Sequence, residues 1–227
     1  MFIDQYFIML VLPTMILSMI AQIKVKSTFH KYSNVRCSRN ITGLGAAQLL
    51  LKNNSINDVA VESVKGTLTD HYDPRSKKLR LSEPVYAQPS IAAVGVAAHE
   101  AGHAIQHATG YGPLVLRSTL VPVANIGSSL GPWIAIAGIF FSFPLLTNIG
   151  IMLFSGAVAF YLITLPVEFN ASSRALAILR NSNVLSEEEL KGAKKVLSAA
   201  ALTYVASALT AIMSLLRLIL ISRGRRH

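Results

Sequence analysis

Four long apolar stretches set the strongest limit on how this chain can fold. They cover residues 6–23, 121–143, 145–165 and 197–216. Each is close to the roughly 20 apolar residues that an α-helix needs to cross a bilayer. The composition agrees, because 52% of the residues are hydrophobic and only 14% are charged, which is unlike an ordinary soluble domain. We therefore predict a mainly α-helical, multi-pass protein of the cell membrane.

Positive charges follow the first apolar stretch at once. Only Asp4 precedes it, and the basic residues after it are Lys24, Lys26, Lys31, Arg36 and Arg39. A cleavable signal peptide carries its charge before the apolar run, so we expect a retained transmembrane helix. Cytoplasmic flanks are enriched in Lys and Arg, which predicts that the next segment is cytoplasmic. The net charge of +10 points to anionic lipid rather than nucleic acid, because no basic stripe is interleaved with aromatic residues.

These patterns divide the chain into five predicted segments. They are an N-terminal transmembrane helix (1–23), a cytoplasmic region (24–120), a transmembrane hairpin (121–165), a second cytoplasmic segment (166–196) and a C-terminal membrane helix with a basic tail (197–227). If the last helix crosses, Arg217, Arg223, Arg225 and Arg226 lie outside, against the positive-inside tendency. A kinked, re-entrant or interfacial helix removes that conflict, and the sequence leaves both arrangements open.

An H-E-x-x-H motif lies in the first cytoplasmic region, inside an alanine-rich run at 94–108. On a helix, His99 and His103 leave the same face one turn apart and can hold one zinc ion (Zn2+). Glu100 is poorly placed to bind the same ion, but it can take a proton from a water whose pKa the zinc lowers to about 7. This is the chemistry of peptide-bond hydrolysis. His107, a further turn along, is expected to be a supporting residue rather than a ligand.

A third ligand is expected, because a catalytic zinc usually has three protein ligands and one water. Glu168 is the best candidate, since the predicted hairpin returns the chain to the side of the motif just before this residue. We expect Glu168 at the start of a new helix that runs to about Arg180. A glutamate at a helix start is also favoured by the helix dipole, which leaves a purely structural role open.

A small β-sheet is predicted in front of the motif helix. Residues 59–64 alternate as a strand, 66–70 are a weaker candidate, and Leu79, Arg80, Leu81 and Ser82 alternate again. Zinc peptidases commonly pair an extended substrate with an exposed edge strand, and residues 79–82 are our candidate for that edge. An ordinary hairpin packed on the helix is an equal alternative. Thr42 and Ser90 are expected to cap the helices that begin after them.

Several of these segments together carry a family resemblance. The motif at 99–103, the residues at 70–74 and 79–82, and Pro-Val-Glu-Phe-Asn-Ala-Ser at 166–172 resemble the bacterial neutral zinc metallopeptidase family of YugP type. The glutamate segment is more distantly similar to membrane gluzincins of the CAAX prenyl protease type. The resemblance implies a zincin-like catalytic region with His99, His103 and Glu168 as zinc ligands and Glu100 as the general base.

The expected reaction also needs a group that stabilises the oxyanion besides the metal. His71, Tyr72 and Arg174 are polar residues that could reach it. The expected partners are the bilayer and a peptide or membrane-protein substrate. Two other classes stay open: a catalytically silent zinc-binding scaffold, and a transporter subunit, which is disfavoured because the apolar stretches carry few ionisable residues.

Overall fold

The protein is described here by a computed structural model, over residues 4–224. A π-helical turn, Phe7–Val11, leads into the first α-helix. Within these residues the helices are α1 (Leu12–Ser33), α2 (Gly43–Asn53), α3 (Glu83–Tyr86), α4 (Ile91–Ala108), α5 (Gly112–Phe140), α6 (Pro144–Asn181) and α7 (Glu187–Gly224), and the strands are β1 (Ala60–Val64), β2 (His71–Asp73) and β3 (Lys78–Ser82). Helix dominates, as the apolar stretches predict.

Four helical segments are long and apolar enough to cross a bilayer: Phe7–Ser33, Gly112–Phe140, Pro144–Asn181 and Glu187–Gly224. They cover the four stretches that the sequence marks as apolar, except for residue 6 and residues 141–143. Each continues beyond its apolar stretch into residues of more mixed character. The structure therefore has the composition of a mainly α-helical membrane protein, with a small mixed sheet added to it.

The described residues form two compact units. The first consists of 4–22, 115–166 and 202–224, and its core includes Ala135, Phe154 and Ala157. The backbones of α5 and α6 touch here, because Gly127 lies against the carbonyl group of Leu153. Small residues commonly allow such close approach between membrane helices. This unit is built almost wholly from the apolar parts of the helices.

The second unit consists of Ile23–Leu114 and Val167–Ala201. Helix α4 lies at its centre, with α2, the short α3 and the sheet packed against it. Thr42 and Ser90 cap α2 and α4 as predicted, because their hydroxyl oxygens accept hydrogen bonds from Gly45 N and Ala93 N, each at 3.2 Å. Side chains of α4 are buried along most of its length. The motif helix is thus closely packed inside the second unit.

The sheet corrects two predictions. Its strand order is β1-β3-β2, with β3 parallel to β1 and antiparallel to β2. Leu79, Arg80, Leu81 and Ser82 therefore belong to the central strand, and the prediction that they form the exposed edge is wrong. Alternation reports which face of a strand is buried, and Leu79 and Leu81 are indeed fully buried, but it does not report the neighbours in the sheet. The weak candidate at 66–70 is also wrong, since β2 begins only at His71.

Two long helices differ from the sequence-based expectation. Helix α6 runs without a break through Pro166, so the prediction that Glu168 starts a new helix is wrong.

Helix α7 starts with the Ser186–Glu189 capping box, in which Ser186 N donates to the Glu189 carboxylate at 2.7 Å, and continues to Gly224. Near the other end of α7, Arg217 donates a hydrogen bond to Asp4 at 2.6 Å. Arg217 is one of the four arginines that would lie outside if the last helix crosses, and here its charge is paired with a carboxylate. Arg225 and Arg226 lie outside the described residues.

Candidate metal centre

His99, His103 and Glu168 come together in the second unit, as predicted. One ligand atom from each lies within 4.8 Å of the others. Glu168 Oε2 is 3.2 Å from His99 Nε2 and 3.5 Å from His103 Nε2. Two imidazole nitrogens and a carboxylate oxygen are the donor set of many catalytic zinc sites. The three side chains thus fit a zinc ion with a position left for water.

The position of Glu168 follows from a close contact between α4 and α6. Gly102 lies against the backbone of Ala171, and a Cβ built on Gly102 would be 2.7 Å from the Ala171 carbonyl oxygen. With the helices this close, a carboxylate one turn before Ala171 reaches both imidazoles. Glu168 is inside a helix and 2% exposed, so a dipole effect at a helix start no longer explains it.

The outer nitrogens of both histidines have partners. His99 Nδ1 lies 3.0 Å from Ser172 Oγ, and His103 Nδ1 lies 3.0 Å from Gln106 Oε1. Each Nε2 therefore faces Glu168 while each Nδ1 is engaged elsewhere. Histidines that bind metals almost always have such a partner on the second nitrogen. Sequence reasoning missed Gln106, although its place three residues after His103 on the same helix was a signal that could have found it.

The neighbouring carboxylates raise the pKa of His103 in spite of its burial. Burial, the largest single influence, lowers its pKa, but the hydrogen bond to Glu168 and the charges of Glu100 and Glu168 together outweigh burial and raise the pKa above 6.5. The neighbouring carboxylates therefore favour the protonated form of His103 when no metal is bound. Glu100 is itself buried, at 8% exposed. The centre thus favours positive charge.

Tyr72 and His107 form a pair at the next turn of α4. The Tyr72 hydroxyl lies 2.8 Å from His107 Nδ1. Both side chains border a cavity of about 420 Å³ that Ala104 and the Asp58–Lys77 ion pair also line. Burial, followed by the charges of Asp58 and Asp73, raises the pKa of Tyr72, so its phenol stays protonated. The hydroxyl has one hydrogen to donate, and this hydrogen can point away from His107 when His107 Nδ1 is the donor of their bond.

The structure places the other two oxyanion candidates in different surroundings. His71 is exposed, with Nδ1 2.8 Å from Thr69 O and Nε2 3.3 Å from Arg80. Arg174 donates from Nε to Asn170 Oδ1 at 2.8 Å, and its guanidinium lies over the Tyr111 ring. Both have structural partners of their own.

A chain with four long apolar helices, in which the two histidines of an H-E-x-x-H helix meet a glutamate from a second helix, resembles the membrane zinc peptidases. The chain belongs to a family described as "Putative neutral zinc metallopeptidase", whose model matches residues 7–223. It is 52% identical over 215 residues to "Putative membrane protease YugP" of Bacillus subtilis (strain 168), which covers 95% of this chain and 96% of the relative. No solved structure matches.

Proposed function

We propose that the protein is a membrane-bound, zinc-dependent endopeptidase with Glu100 as the general base. The observation that carries this proposal is the assembly of His99, His103 and Glu168 on two touching helices, with Glu100 beside the first histidine on α4. A zinc ion held there would act as a Lewis acid and lower the pKa of a water to about 7. The family membership and the name of the relative support the same class of reaction.

The remaining steps belong to side chains of the protein. Glu100 takes a proton from the water while the oxygen of that water attacks the scissile carbonyl carbon. The same carboxyl group then returns the proton to the leaving amine as the C–N bond breaks. Burial of Glu100 keeps this transfer away from bulk water.

Tyr72 is the group that we propose as the oxyanion donor. At about 100° per residue, Glu100 and His107 lie on the same side of α4, roughly 20° apart around its axis. The Tyr72 hydroxyl, bonded to His107, is therefore near the side from which the base acts. His71 is less suitable because it is exposed beside Thr69 and Arg80, and Arg174 is less suitable because its guanidinium lies over the Tyr111 ring.

Strand β2, rather than residues 79–82, is the strand that we propose as the exposed edge for an extended substrate. It is an outer strand of the sheet and packs against α4. One edge of β2 pairs with β3, and the other is outside the sheet. We propose that this outer edge aligns an extended peptide through main-chain hydrogen bonds, which demand little of the peptide's sequence.

The five predicted segments and the cytoplasmic position of the site are part of the proposal. The five basic residues from Lys24 to Arg39 are all exposed, which supports a cytoplasmic face near anionic lipid. The substrates are then membrane proteins or membrane-bound peptides. A cysteine replacing exposed Thr67 should react with a membrane-impermeant maleimide only after cells are permeabilised, and labelling of intact cells would contradict this orientation. Equal cleavage of soluble proteins with and without lipid would contradict the substrate class.

Zinc content and hydrolysis of an unfolded protein, measured on the same purified samples, test the central proposal. Wild type should carry one zinc and cleave, Glu168→Ala should lose the metal, and Glu100→Gln should keep the metal and lose cleavage. Glu83→Gln, at an exposed position on α3, is the matched control and should behave as wild type. If Glu100→Gln cleaves normally, the role of the base is refuted. If wild type binds zinc but never cleaves, a zinc-binding scaffold explains the site better.

A further inference from the structure

We infer that Gln106 is a positioning residue that fixes the proton and the ring orientation of His103, and that Asn170 and Arg174 hold Gln106 in place. Gln106 is fully buried. Its Oε1 lies 3.0 Å from His103 Nδ1, and its Nε2 donates to Val167 O at 2.8 Å and to Asn170 Oδ1 at 3.0 Å. The inference concerns the metal site on which the proposed function rests.

The Val167 carbonyl and the Arg174 guanidinium, at the two ends of this set of hydrogen bonds, determine which atom donates and which accepts in each bond. The Val167 carbonyl can only accept, so the amide NH2 of Gln106 must face it. The Arg174 guanidinium can only donate, so the Asn170 oxygen must face Arg174, and the same oxygen accepts from Gln106. If the side-chain amide of Gln106 or Asn170 were rotated by 180°, two acceptors or two donors would face each other.

This order determines the tautomer of His103. With the NH2 of Gln106 bound to Val167 and Asn170, the carbonyl oxygen of Gln106 faces His103 Nδ1. That oxygen only accepts, so Nδ1 carries a hydrogen, and in the neutral ring Nε2 then keeps its lone pair. Nε2 is the atom that faces Glu168. Gln106 thus presents the metal-binding nitrogen of His103 in the form that can bind.

Ser172 cannot replace this function, because a hydroxyl both donates and accepts. The bond between Ser172 Oγ and His99 Nδ1 orients the His99 ring but fits either tautomer. A neutral amide also suits this place better than a carboxylate would. Glu100 and Glu168 already put two buried acids beside the histidines, and a third negative charge would be costly to bury.

The test compares zinc affinities, measured by competition with a chelator, for wild type, Gln106→Met and Asn170→Leu. Methionine keeps the unbranched shape and removes both ends of the amide, so affinity should fall about 10- to 100-fold. Asn170→Leu leaves Gln106 present but unanchored on one side, and a smaller loss is expected. Gln48→Met, on the exposed face of α2, is the control and should bind as wild type.

Two further readouts separate positioning from general support of the fold. Cobalt(II) replacing zinc should show an altered visible absorption spectrum in Gln106→Met, because the spectrum follows ligand geometry. Thermal unfolding of the chelated proteins measures how much each change destabilises the fold when no metal is bound. Wild-type zinc affinity in Gln106→Met overturns the inference and leaves the peptidase proposal intact. If Gln106→Met does not fold, wild-type affinity in Asn170→Leu overturns it instead. Absence of zinc binding by wild type refutes the proposed function itself.

Discussion

Replacing Gly102 with alanine tests whether the contact between α4 and α6 sets the metal geometry. The new methyl carbon would lie 2.7 Å from Ala171 O and 3.2 Å from Ala171 C. Ordinary carbon–oxygen contacts begin at about 3.3 Å, so the two backbones must move apart by roughly 0.6 Å. Metal–ligand distances are held to within about 0.2 Å in good sites. Glu168 is one turn from Ala171 and must move with it.

The expected effect on binding is larger than the effect on folding. Alanine favours the helix over glycine by about 1 kcal/mol, whereas overpacking costs about 1–3 kcal/mol. The net loss in the free energy of unfolding is therefore about 0–2 kcal/mol. Zinc affinity should nevertheless fall about 10- to 100-fold, the usual result of disturbing the residues that support ligands.

Gly95→Ala is the matched control within the same helix. A methyl group there would lie 3.4 Å from Ala193 Cβ, which is an ordinary contact. This variant should gain about 1 kcal/mol of stability from helix propensity and keep wild-type zinc affinity. Chelator competition measures the affinities, and thermal unfolding of the chelated proteins measures stability. Wild-type zinc affinity in Gly102→Ala would refute the claim that this contact positions Glu168.

Three further results are expected. In chelated protein, the raised pKa of His103 means that its stabilising ion pair is complete below about pH 6.5 and is lost as pH rises through the folded value. The unfolding temperature should therefore fall over that range, and should fall less in His103→Gln; equal slopes would contradict the pairing. Ser172→Ala should weaken zinc binding about tenfold, since it removes the partner of His99 Nδ1, and wild-type affinity would contradict that role. Cys37 is 2% exposed with a pKa raised by burial, so iodoacetamide should modify it quickly only after denaturation, and rapid reaction of the native protein would show that the segment opens.

Structural features that depend on a few neighbouring residues could be predicted from the sequence. The caps at Thr42 and Ser90 and the spacing of His99 and His103 are of this kind, because hydrogen bonds within one turn create them. Glu168 could be chosen as the third ligand because zinc chemistry demands one more donor and few carboxylates had suitable surroundings. Its approach to the histidines, in contrast, comes from a helix contact that no local pattern reports.

Features set by distant parts of the chain could not be predicted. The alternation of Leu79 and Leu81 identified the buried face of β3, but its central place depends on β1 and β2 pairing on either side. Pro166 suggested a helix boundary, yet α6 continues through it. Proline is tolerated in membrane helices where neighbouring groups satisfy the freed backbone. Gln106 could have been found from its place three residues after His103, but its hydrogen bonds to Val167 and Asn170, far along the chain, could not be predicted.

The order of the ligands along α4 and α6 has a consequence for biosynthesis. A ribosome completes the two histidines and Glu100 well before Glu168, with all of α5 and the first part of α6 made in between. A nascent or truncated chain that stops before Glu168 carries Glu100 and both histidines but not the third candidate ligand. The three candidate ligands can therefore come together only after most of the apolar helices have been made.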